Sequence, residues 1–243
     1  MNTPNPGIMF DIGQGEIMAT PEILEGGRIE PDAYNSRERF EAEREMFGKV
    51  WLNIAEAGEI PNPDDWIVRD VTCRSVSAII VRGKDMNIRA FHNICSHRGM
   101  KLVWDEKGRG GKFSCPYHAW QYNTDGELTH IPDAECFPHV DKQESGLTPI
   151  HCDTWEGFIF INLDQQPAQT LVEFLGPMTE ALKNAPFQEY PTSVRCRSVI
   201  KANWKLGVEA QSESYHAAAL HARTVAKMGV TSRFVRQTTI WQT

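Results

Sequence analysis

Two short stretches hold the residues best suited to chemistry in this chain. The first reads Cys95-Ser96-His97-Arg98-Gly99 and, with seventeen residues between His97 and Cys115, continues as Cys115-Pro116-Tyr117-His118. Each half offers a thiolate and an imidazole two or three residues apart, so the two halves together make a four-ligand metal site. Such a set could hold zinc, which accepts mixed sulfur and nitrogen ligands in a tetrahedron. It could also hold a Rieske [2Fe–2S] cluster, in which two Cys bind one iron and two His bind the other. A Cys₂His₂ zinc finger groups Cys with Cys and His with His along the chain, whereas here each half is Cys then His. That interleaving suits two irons, because each loop can give its Cys to one and its His to the other.

The second stretch begins at Asn203-Trp204-Lys205 and contains Glu209, Glu213, Tyr215, His216 and His221 in an Ala-rich, helix-prone run. On a helix, Glu209, Glu213 and His216 share a face. His221 is less convenient. At about 100° per residue it lies roughly 140° round from His216, so a straight helix lets both grip one ion only if a bulge or bend brings them together.

Elements able to position these residues can be read from the pattern around them. Residues 66–72, 75–82 and 87–94 are β-rich runs, the second and third joined by Gly83-Lys84-Asp85, and read as antiparallel strands leading into the first ligand loop. Gly108-Arg109-Gly110-Gly111 breaks the chain before the second loop. Short strands are expected over 119–122 and 127–130, and one strongly hydrophobic strand over 155–162. Before them, residues from Asn35 or Ser36 to Trp51 space Phe40, Phe47, Val50 and Trp51 as one amphipathic helix with a buried aromatic face. After Pro167 a helical pattern runs through Leu171, Phe174, Leu175, Met178 and Leu182, and a strand is expected from Ser193 to Ala202.

The quoted motifs carry a resemblance. Cys-Ser-His-Arg-Gly followed by Cys-Pro-Tyr-His-Ala-Trp120 resembles the Rieske domain of the Rieske non-haem iron oxygenases, and Asn-Trp-Lys, Glu209 and Glu213-x-Tyr-His216-x₄-His221 resemble the start of the same family's catalytic domain. The resemblance implies a [2Fe–2S] cluster on Cys95, His97, Cys115 and His118. It also implies mononuclear Fe(II) on His216 and His221 within a 2-His-1-carboxylate triad, and Glu213 in the place of the family's bridging acid, usually Asp. Ala210 stands where many members have Asn. The activity implied is that of a terminal oxygenase α-subunit, a mono- or dioxygenase using O₂ on an organic substrate, aromatic rings being the commonest class. Electrons would come from NAD(P)H through a partner reductase, directly or by way of a ferredoxin. Resembling enzymes are homotrimers, some with a β-subunit, in which electrons would cross between subunits from His118 through Glu213 to His216.

The fold class expected is therefore α+β: an arm and the start of a helix over 1–40, an antiparallel β Rieske domain over 41–165, and the first part of an α+β catalytic domain over 166–243. In the family the carboxylate ligand lies further along than Thr243, so the sequence reads as a fragment, with the 243-residue chain by itself unable to oxygenate. A stand-alone Rieske electron carrier would explain the first motif and leave the second unexplained; a zinc-bound interaction module is the third reading. The net charge of −7 argues against nucleic acid as a partner. No apolar run reaches the ~18 residues of a membrane span and no secretory layout opens the chain, so a cytoplasmic protein is expected, with Cys73, Cys136, Cys152 and Cys196 as thiols. His92, His130, His139 and His151 stand singly and read as structural or solvated.

Overall fold

The computed structural model describes residues 29–190, 198–212 and 216–224. Residues 1–28 of the expected N-terminal arm, and Glu213, lie outside them. The chain divides into two units, one of Glu41–Ser193 and one of Met1–Phe40 with Val194–Thr243.

In the first unit, seven antiparallel strands form a sheet: β1 (Leu52–Glu56), β2 (Asp65–Val71), β3 (Val76–Arg82), β4 (Ile88–His92), β5 (Lys107–Arg109), β9 (Pro149–Trp155) and β10 (Phe158–Asn162), in the order β1-β10-β9-β4-β3-β2-β5. A second sheet of three short strands, β6 (Lys112–Ser114), β7 (Gln121–Asn123) and β8 (Leu128–His130), carries the second ligand loop between its first two members. The interior strand β3 is apolar on both faces because both are covered. Ile79 and Val81 enter one core with Phe91, Cys95, Leu102, Phe113, Cys115, Trp120 and Tyr122, while Ala78 and Ile80 enter another with Ala55, Ile67, Ile159 and Ile161. Period-two alternation divides one strand between two cores, and the first of them lies beneath the Cys/His loops.

Four expectations change. The run over 155–162 is a hairpin of β9 and β10: Glu156 and Gly157 both have positive φ, 46° and 83°, between the paired Trp155 and Phe158. Positive φ at both central residues is the two-residue turn that matches strand twist. The first long helix, α2 (Arg37–Phe47), buries no residue, and Phe40 is exposed. Trp51 is buried beyond it, just before β1. The helical pattern after Pro167 is two short helices, α3 (Leu171–Leu175) and α4 (Met178–Ala181), separated by Gly176 at φ 50° and Pro177, which a continuous helix would not accommodate. They belong to the β-rich unit: Leu171 and Leu175 pack with Trp51 and Phe160, and the Trp51 indole donates to the Gln169 carbonyl at 2.9 Å. Of the strand expected over Ser193–Ala202, the described residues 198–202 take no strand conformation.

The second unit contributes α1 (Asp32–Asn35), α5 (Trp204–Ser212) and α6 (Ala217–Leu220). Asn203 opens α5 by accepting the Lys205 backbone N–H at 3.1 Å, as an N-cap side chain does, and its amide donates to the Tyr34 carbonyl at 3.0 Å. The Tyr34 hydroxyl donates to the Glu209 carboxylate, 2.9 Å from both oxygens, which raises the phenol's pKa.

Candidate metal centres

The two Cys/His loops are built alike. In the first, the Cys95 N–H donates to the Met100 carbonyl at 2.8 Å and the Cys95 carbonyl accepts from Gly99 at 3.0 Å; in the second, Cys115 N–H donates to Trp120 at 2.8 Å and its carbonyl accepts from Ala119 at 2.9 Å. Each loop thus closes on itself five residues after its Cys and turns at a residue with positive φ, Gly99 at 71° and Ala119 at 57°. Gly tolerates that conformation, and Ala adopts it at a cost. Asn93 anchors the first loop from below. It is 1% exposed, accepts from the backbone N–H groups of Leu102 and Val103 and donates to the Val103 carbonyl at 2.7 Å, so one buried amide meets three backbone groups of the returning chain.

This geometry brings the four predicted residues together in pairs. Cys95 and Cys115 are buried free thiols, close enough to interact through their side chains. The His97 and His118 rings lie 4.7 Å apart at 65°. With a metal–nitrogen bond of about 2.1 Å, each ring centroid stands ~3 Å from the metal, so two neighbouring ligands have centroids roughly 4.5–5 Å apart. His97 Nδ1 is buried with no hydrogen-bond partner, a costly state unless something accepts its lone pair or proton. Burial, with the charges of His118 and Arg98, lowers the pKa of His97, keeping it neutral as a ligand must be. Burial is also the chief cause that pushes the Cys95 thiol up. Among the described residues, no three His, Cys, Asp or Glu side chains gather as one metal ion would require. A sulfur pair beside a nitrogen pair fits a two-iron cluster better than a single zinc.

Further residues belong to the site that motif reading did not assign. Tyr122 is fully buried, with its hydroxyl 3.1 Å from Cys95 Sγ and 2.8 Å from Ser96 Oγ. The Ser96 backbone N–H donates to the same oxygen at 3.2 Å, and the Ser96 hydroxyl donates to the Ser145 carbonyl at 2.7 Å. A thiolate at Cys95 only accepts, so the Tyr122 proton is the one able to reach its sulfur. The alternation Trp120-Gln121-Tyr122, which points two rings inward, was the available signal.

His216 and His221 flank α6, whose last residue, Leu220, donates to the His216 carbonyl at 2.8 Å. Because His221 lies in the turn after the helix ends, its ring comes to 5.2 Å from that of His216, at 69°. This is the bend the spacing required, and the separation suits two ligands of one metal by the same arithmetic.

A cysteine pair and a histidine pair on two matching loops over an antiparallel β-core define an iron–sulfur redox protein. A family model of the Rieske [2Fe-2S] domain matches residues 50–144, and one of the ring-hydroxylating α-subunit catalytic domain matches residues 180–241. The carnitine monooxygenase oxygenase subunit of Escherichia coli (strain K12) is 32% identical over 190 residues, 77% of this chain and 50% of that one. The crystal structure of the quaternary ammonium Rieske monooxygenase CntA with L-carnitine superposes with a TM-score of 0.74 at 31% identity, over 82% of this chain and 56% of that one. Naphthalene 1,2-dioxygenase from Rhodococcus sp. gives 0.69 at 30%, over 80% and 45%. The chain belongs to the Rieske non-haem iron oxygenase α-subunit family, whose cofactors are a Rieske [2Fe–2S] cluster and mononuclear iron. It spans about half the length of the curated relatives it matches.

Proposed function

We propose that this chain carries the electron-relay part and the first two iron ligands of a terminal oxygenase. Cys95 and Cys115 would hold one iron of the cluster and His97 and His118 the other; His216 and His221 would hold the mononuclear iron. When bound, the cluster would supply one-electron relay and the mononuclear iron O₂ activation for insertion into an organic substrate. The observation that carries the reading is the pairing itself: two buried thiols in one core, two imidazoles at 4.7 Å with one buried nitrogen unpartnered, and a second imidazole pair at 5.2 Å.

Glu213, three residues before His216, would accept N–H bonds from imidazoles on both sides and bridge the centres. An oligomer is favoured because a related quaternary ammonium Rieske monooxygenase is described in terms of inter-subunit electron transfer, and a homotrimer is the form that the resemblance implies. A reductase, with or without a ferredoxin, would supply the electrons. No helix among the described residues is long and apolar enough to cross a membrane, and a cytoplasmic location fits the NAD(P)H supply. Relatives named for carnitine and for an aminobenzenesulfonate match this chain at 32% and 34% identity, so a quaternary amine stands as a substrate class beside the aromatic ring expected from sequence.

The test is O₂ uptake coupled to product with a reductase present and L-carnitine, glycine betaine and naphthalene offered in turn. His216→Ala should keep the cluster's visible absorption and abolish product. Product formation that survives this substitution would remove His216 from the iron.

A further inference from the structure

Both ligand loops are touched by a segment that supplies no ligand. Between β8 and β9 the chain makes a short turn at Ala134–Cys136, opened by Asp133 at φ 47°. Phe137 follows, its N–H donating to Ala134 at 3.0 Å and its carbonyl accepting from Val140 at 3.1 Å. The Phe137 ring stands edge-on to His97, 5.7 Å away at 89°, and edge-on to Trp120, 5.8 Å away at 87°. Trp120 in turn lies flat on His97, 4.6 Å away at 7°. One imidazole therefore sits in a corner whose wall comes from the second ligand loop and whose end comes from a third segment. The Ser96–Ser145 hydrogen bond ties that segment to the first loop as well.

His118 is held differently. It is exposed, and besides its edge contact with His97 its ring contact is with Tyr117, stacked 3.9 Å away at 30° and itself 57% exposed. The distinction matters because the second torsion of a histidine is soft and broadly two-fold. Coordination through one nitrogen fixes that atom and leaves the ring plane to be set by packing and outer contacts.

Resting on the cluster reading above, we propose that Phe137 is a positioning residue of the cluster site: with Trp120 it fixes the ring plane of His97, while the plane of His118 is set separately by Tyr117.

The test uses the holoprotein, reduced, with the two histidine ¹⁴N couplings resolved by pulsed EPR. Phe137→Ala should keep iron and sulfide content and shift one coupling while leaving the other in place. Tyr117→Ala should shift the other coupling alone, and Phe137→Tyr should restore the wild-type spectrum. If Phe137→Ala leaves both couplings at their wild-type values, or both substitutions move the same one, the assignment is overturned. Should Phe137→Ala lose the cluster, Phe137→Leu decides by the same criterion. A wild-type spectrum with no nitrogen couplings would instead refute the cluster reading and leave the ring packing unexplained by it.

Discussion

Replacing Tyr122 with Phe removes one oxygen and keeps the ring in the core that it shares with Ile79 and Cys95. The lost group is the hydroxyl 3.1 Å from Cys95 Sγ. Reduction adds a negative charge to the cluster and its sulfur ligands, so a donor at that distance stabilises the reduced state more than the oxidised one. A hydrogen bond to a charged group is worth about 1.5–3 kcal/mol in total, and only the part that changes with oxidation state acts on the potential. If half of the lower value changes, about 0.8 kcal/mol, then at ~1.4 kcal/mol per 59 mV for one electron the potential falls by roughly 30 mV; the upper value gives about 60 mV. The Ser96 N–H also loses its acceptor, at a cost of around 1 kcal/mol in stability. Spectroelectrochemical titration of wild type and variant, each with two irons per chain, reads the shift directly. An unchanged or raised potential would refute the argument that the Tyr122 proton points at sulfur.

Asn93→Leu keeps the approximate volume but strands two backbone N–H groups and a carbonyl, so a loss of about 3 kcal/mol is expected by denaturant titration, with the first loop disordered before the second. Ala119→Gly should raise stability by roughly 0.5–1 kcal/mol without altering the visible spectrum, since Gly accepts a φ of 57° that Ala resists. Gly157→Val should cost at least 2 kcal/mol, as a Cβ there meets Gln188 at 2.7 Å on a residue held at φ 83°; a near-neutral result would mean the β9–β10 turn relaxes. Glu213→Gln should preserve the cluster and substrate binding while slowing cluster oxidation by orders of magnitude in single turnover. Equal rates would take Glu213 off the path.

The gathering of His97 with His118 and of Cys95 with Cys115 in one core was legible because metal binding is a local demand on residue type and spacing, and the strands feeding the first loop were legible because β2 to β4 are hairpin neighbours with strong β-branched content. The parts that were not legible depend on distant partners. The edge strand β1 exists because it pairs with β10, more than a hundred residues later. The same closure buries Trp51 outside the helix that its spacing suggested. Nothing in the sequence near Asn93, Tyr122 or Phe137 says which backbone groups or rings they will meet, since those contacts are set by how the loops fold back over the sheet. For His221, the angular arithmetic identified the obstacle and the end of α6 at Leu220 removes it.

The central claim is that Cys95, His97, Cys115 and His118 hold two irons as a Rieske cluster. Its most direct test is a redox titration of the iron- and sulfide-loaded protein followed by reduced-state EPR. The account predicts two irons and two sulfides per chain, a midpoint at or above about −150 mV, where the His₂-ligated clusters lie, and loss of the signal in Cys115→Ser. A colourless protein that retains one zinc per chain, or a cluster near the −400 mV typical of all-cysteine ligation, would contradict it.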